Sequence, residues 1–175
     1  MSMFLKNYTS DVPVSQTVAR IEQVLLRAGV KAIAKEYGPC SEVAAITFRI
    51  EAGPGQPLLS IRMPAEVERA QNALWLEYVG TDKLSTDGNT VYWHSRKKKR
   101  RKDFLDQGAR TAWKLVQDWI EVQISMIQLQ QADAVQVFLP YIWDGRRTFY
   151  QGLKDSGFKA LMPPKDDPAR VEVVS

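Results

Sequence analysis

Seven consecutive residues of this chain are basic: Arg96, Lys97, Lys98, Lys99, Arg100, Arg101 and Lys102, with Tyr92 and Trp93 just ahead of them. Cations packed this tightly repel one another, and they settle when an external anion neutralises them. A phosphate backbone is such an anion, and several phosphate contacts make binding steeply salt-dependent. Aromatic rings beside the cations suit unpaired bases, which stack on them, so single-stranded DNA or RNA is the favoured partner. Two other readings stay open: a solvated or localisation-like loop, and a site for a smaller anionic ligand. In the first, Tyr92 and Trp93 are core residues of a hairpin.

The charge is local. The chain of 175 residues has 24 basic and 20 acidic residues; without 96–102 only 17 basic residues remain against the 20 acidic ones. One concentrated positive spot therefore sits on a slightly acidic body.

Other chemistries have thin support. His94 is the only histidine, and nearby cations disfavour its charged form. With one His and one Cys no His/Cys zinc site can be built. Cys40, beside Pro39, has no evident base and reads as a plain small residue. The P-loop, GxGxxG and GxSxG patterns are missing, and "EAGPGQP" reads as a turn. Asp103 and Asp106 share a helical face, as acids at a helix N-terminus do. No catalytic residue, metal site or cofactor is expected, and the chain reads as non-enzymatic. The helix-turn-helix, RRM, KH and C2H2 signatures are not found.

These residues must be positioned by ordinary elements. The length favours one domain, expected over 1–160, with 161–175 a Pro-rich, charged, disordered tail. Ser15 can cap a first helix over 15–28, on which Val18, Ile21 and Leu25 recur at helical spacing and which Gly29 stops. Strands follow at 30–37, 42–52 and 57–63. Ile46, Phe48 and Ile50 alternate with Thr47, Arg49 and Glu51, and Leu59, Ile61 and Met63 alternate with Leu58, Ser60 and Arg62. Pro64 suits the start of a second helix over 64–79. Residues 80–95 form a small hairpin or excursion.

The longest helix spans about 103–131. Seven cations in its first turns would oppose the helix dipole, so the run belongs mostly in a loop ahead of Asp103. Val122, Met126 and Leu129 widen its apolar surface beyond one stripe, to be covered by the sheet and a second helix or by another copy of the chain. Trp113 and Trp119, six apart, do not share one narrow stripe, and packing is their expected role. A short helix is expected within 148–158. The fold class is α+β: a small antiparallel sheet packed by two helices, plus a long helix in the C-terminal half.

"KNYTS", "TVARIEQVLLRAGVKAI", "ITFRI" and above all "GARTAWKLVQDWIEVQISMIQLQQADAVQVFLPYI" resemble a family of small uncharacterised bacteriophage and prophage proteins. The similarity covers most of 5–155. It implies a phage-borne protein of the bacterial cytoplasm acting in DNA metabolism or against host defence, and it carries over no catalytic residue. One cysteine, no signal peptide and no membrane-length apolar run agree with a cytoplasmic location and no membrane contact. The expectation is thus a nucleic-acid-binding accessory protein that forms a homo-oligomer. The alternative is an anti-defence protein that inhibits a host nuclease or sequesters a cyclic nucleotide, with Arg49 and Arg62 on the polar sheet face as ligand residues.

Overall fold

The computed structural model describes residues 5–39, 41–81 and 99–162. Cys40, Tyr92, Trp93, His94, Arg96, Lys97 and Lys98 lie outside the described residues, as do most of the expected hairpin at 80–95 and the tail from 163.

The chain is α+β. Helix α1 (Val14–Arg27) precedes three strands, β1 (Ala32–Tyr37), β2 (Val43–Glu51) and β3 (Leu58–Pro64). Helices α2 (Val67–Thr81), α3 (Leu105–Gln128), α4 (Ala134–Phe138) and α5 (Phe149–Asp155) follow. The three strands form an antiparallel sheet in the order β1-β2-β3.

Ser15 does not cap α1. The helix starts one residue earlier, because the Pro13 carbonyl accepts from Gln16 N–H and Thr17 N–H, both at 3.1 Å. Thr17, Val18, Ile21 and Leu25 are its buried stripe. Gly29, at φ 84°, ends it in the left-handed conformation, donating to Leu26 O while Val30 N–H donates to Leu25 O.

The sheet divides its side chains as the alternation requires. Ile46, Phe48 and Ile50 face Met63, Ile61 and Leu59 across the β2–β3 ladder, and these residues join the core. Thr47, Arg49 and Glu51 alternate with them on the opposite face. Pro64 does not begin α2 but ends β3. It still pairs with Ala45, and Ala65 N–H continues the ladder by donating to Ala44 O, so the chain turns only at Val67. Beyond β3, Trp143 N–H donates to Ser60 O at 2.7 Å, which brings residues 142–143 against that edge.

The two helices that pack the sheet are α1 and α3. Val18, Ile21 and Leu25 of the first and Trp113, Ile120 and Ile124 of the second share one core with the strands. Trp113 is buried and its indole N–H donates to Val43 O at 3.2 Å. Trp119 is half-buried and packs edge-on against Phe138 and Tyr141, with ring centres 5.7 and 5.3 Å away. The two tryptophans thus part company, as their spacing demands. Helix α2 buries Ala70, Gln71 and Leu74. A Cβ built on Gly108 would stand 2.9 Å from Gln71 N, so α2 and α3 meet backbone to backbone there.

Candidate nucleic-acid interface

The junction of α2 and α3 presents the described half of the basic run. Arg100 is extended (φ −102°, ψ 158°), and a 3-10 turn over Arg101–Phe104 leads into α3. The helix therefore begins two residues after Asp103, and Arg101 and Lys102 belong to its helical approach. Asp103 takes the role expected of it: its Oδ2 accepts from Arg100 N–H at 2.7 Å, and its own N–H donates to Arg100 O.

Three bonds from other residues pin the run's backbone. Tyr78 Oη accepts from Lys99 N–H at 3.3 Å. Gln71, buried in the α2–α3 junction, donates from Nε2 to Arg101 O at 2.9 Å. The third is the Asp103 carboxylate. The side chains of Lys99, Arg100, Arg101 and Lys102 stay exposed, and none forms an ion pair among the described residues. Several cations elsewhere are paired: Lys6 with Asp118, Arg20 with Glu121, Lys35 with Glu22 and Arg62 with Glu36.

Aromatic rings do stand beside the run, from residues the sequence did not single out for that task. Trp75, Tyr78 and Phe104 form a half-buried cluster with ring centres 5.4 to 6.1 Å apart. Lys99 Nζ lies 5.5 Å from the centre of the Phe104 ring, within reach of a cation–π contact. The i, i+3 spacing of Trp75 and Tyr78, and the Phe that closes "RKKKRRKDF", are the sequence signals for this cluster.

The polar sheet face separates its two arginines. Arg62 Nη2 donates to Glu36 Oε2 at 2.7 Å and Arg62 Nε to both carboxylate oxygens at 2.9 and 3.0 Å. Thr47 Oγ1 also donates to Glu36 Oε1. The Arg62 bonds draw the Glu36 carboxyl below its usual range, burial opposes them, and the Thr47 bond adds to the lowering. Arg62 also lies 4.9 Å from the Trp143 ring centre. Its charge is thus engaged. Arg49 is exposed, and its side chain has no hydrogen bond or ion pair among the described residues.

No three His, Cys, Asp or Glu side chains come together as a metal site among the described residues. No helix among them is long and apolar enough to cross a membrane. No family model, curated protein or solved structure significantly matches the chain.

Proposed function

We propose that this chain is a phage-encoded, non-enzymatic nucleic-acid-binding accessory protein that grips phosphates through residues 96–102. The observation that supports it most is the concentration of unpaired charge. Lys99, Arg100, Arg101 and Lys102 are four consecutive exposed cations without acidic partners among the described residues, whereas the other unpaired surface cations, such as Arg27, Arg49 and Lys154, stand apart from one another in the sequence. Their backbone is held by Gln71, Tyr78 and Asp103, so the cations are presented from a defined place. A bound strand then meets less ordering cost than on a free loop. The neighbouring Trp75, Tyr78 and Phe104 favour single-stranded DNA or RNA over duplex, because rings can stack on unpaired bases.

The test is a triple substitution, Lys98→Ala, Arg100→Ala and Arg101→Ala. Binding to single-stranded oligonucleotides in low salt should fall by about two orders of magnitude, with a shallower salt dependence. The thermal midpoint should hold, since the Arg100 and Arg101 side chains are exposed and support no core packing. Unchanged oligonucleotide affinity would overturn the reading.

The anti-defence reading, capture of a nucleotide signal or inhibition of a host nuclease, has one observation in its favour: Arg49 is unengaged on the open sheet face.

A further inference from the structure

The face of the sheet away from the core carries a hollow of about 510 Å³, lined by Ala32, Ala34, Thr47, Arg49, Ser60 and Trp143 among others. That volume lies in the range of small-molecule sites. We propose that it binds a ring-bearing anion the size of a nucleoside monophosphate, with Arg49 taking the anionic group and Trp143 stacking on the ring. The proposal rests on the sheet face and is independent of the basic run.

The register makes the space. Arg49 is flanked across the ladders by Ala32 on β1 and Ser60 on β3. Ala34 stands opposite Thr47. Small side chains on both neighbouring strands leave room that a Leu or Phe would fill, and they leave the Arg49 guanidinium unobstructed.

The wall is built as well. Trp143 is brought to the β3 edge by its N–H bond to Ser60 O. Arg62 covers its ring and does not itself line the hollow. Because Glu36 holds Arg62 by two nitrogens, that backing is fixed, and Trp143 is a supported stacking surface.

Charge selects an anion. Three carboxylates lie nearby, and each is engaged. Glu36 is held by Arg62 and Thr47, and Glu51 lies 3.9 Å from Lys31 Nζ. Asp144 closes its own turn, its Oδ1 accepting from Arg146 N–H and Arg147 N–H at 2.7 and 2.8 Å. Arg49 alone among the lining residues offers an unpaired charge, with fork geometry suited to phosphate or carboxylate. Asp144 also lines the hollow; its Oδ2, 4.0 Å from Arg147 Nε, keeps lone-pair capacity to accept from a ring amino group, a donor that adenine, guanine and cytosine carry.

Calorimetric titration of the full chain tests this with four ribonucleoside 5′-monophosphates, the matching nucleosides and inorganic phosphate. At least one monophosphate should bind at roughly 0.1 mM or tighter, and both its nucleoside and phosphate alone should bind at least ~10-fold more weakly. Arg49→Gln and Ala34→Leu should each weaken that binding by ~10-fold or more without lowering the melting temperature, since both lie on the open face. The triple basic-run variant should bind the nucleotide as wild type does, which keeps this test distinct from the previous one. The proposal fails if no monophosphate binds, if phosphate alone binds as tightly, or if Arg49→Gln leaves binding unchanged.

Discussion

Asp118 on α3 decides how the N-terminal segment is held. Its Oδ2 accepts from Asn7 Nδ2 at 3.0 Å and lies 2.7 Å from Lys6 Nζ, while Oδ1 is 3.2 Å from Lys114 Nζ. Burial pushes its pKa up, but the bonds from Lys6, Asn7 and Lys114 outweigh that and bring it down to about 2. A folded-state pKa below the unfolded value means stability that is present above about pH 4 and lost as pH falls towards 2. The shift corresponds to about 2 kcal/mol. Urea unfolding of wild type should show that loss between pH 4 and pH 2, and Asp118→Asn should lack this part of the pH dependence and be less stable at pH 7. Equal slopes in the two proteins would remove Asp118 from the account. This bond set was hidden in the sequence, because "KNYTS" and "QDW" are more than a hundred residues apart and nothing in their spacing joins them. The same holds for Arg62 and Arg49. Alternation placed both on one face, but only the diagonal across β2 to Glu36 shows which of them is engaged.

At the scale of elements, the junction of α2 with α3 fixes where the basic run stands. Gly108 lets the helices touch, and Gln71 sits there with its side chain on Arg101 O. In a free helix Gly→Ala gains roughly 1 kcal/mol. At Gly108 the added carbon would meet Gln71 N at 2.9 Å and Gln71 Cα at 3.0 Å, and backbone cannot step aside cheaply. Gly108→Ala should therefore cost about 1–3 kcal/mol and weaken oligonucleotide binding by displacing Gln71 from the run. Gly152, inside α5, is the control: a Cβ there meets Arg147 Nε at an ordinary 3.5 Å. Gly152→Ala should be neutral or stabilise by up to about 1 kcal/mol. Chemical denaturation of both variants separates the cases, and two changes of the same sign would contradict the packing argument. The sequence located α3 well, because Ala112, Ile120 and Ile124, all buried, recur at helical spacing and Asp103 and Asp106 mark its start. It located α2 less well. Pro64 looked like a helix start, yet the ladder to Ala44 and Ala45 held it in β3.

At the scale of the molecule, the surface is uneven at both ends of α3. One end carries the basic run; the other carries no charge at all from residue 122 to residue 132. Leu115, Trp119, Val122, Met126 and Leu129 recur at intervals of four and three, the spacing of a helix-pairing seam. Phe138 and Tyr141 cover Trp119, but Val122 is 56% and Leu129 68% exposed. The sequence raised two ways to cover this extra apolar surface, the sheet with a second helix or another copy of the chain; the described residues leave Val122 and Leu129 open, and we predict that a second copy covers them. Two copies would meet through this uncharged stretch without like-charge repulsion there, and the basic runs, about 30 Å along the helix from Val122, would stay clear of the contact. A dimer would then offer two separated grips on one strand, so that avidity adds to the affinity of each. Light scattering of the wild type should give a mass near twice 19.9 kDa. Val122→Glu with Leu129→Glu should give a folded monomer whose melting temperature no longer rises with protein concentration as the wild type's does, and binding of long single strands should weaken more than binding of short ones. A wild type that is monomeric at high concentration, or a double variant that still dimerises, would show that this seam is not where copies meet.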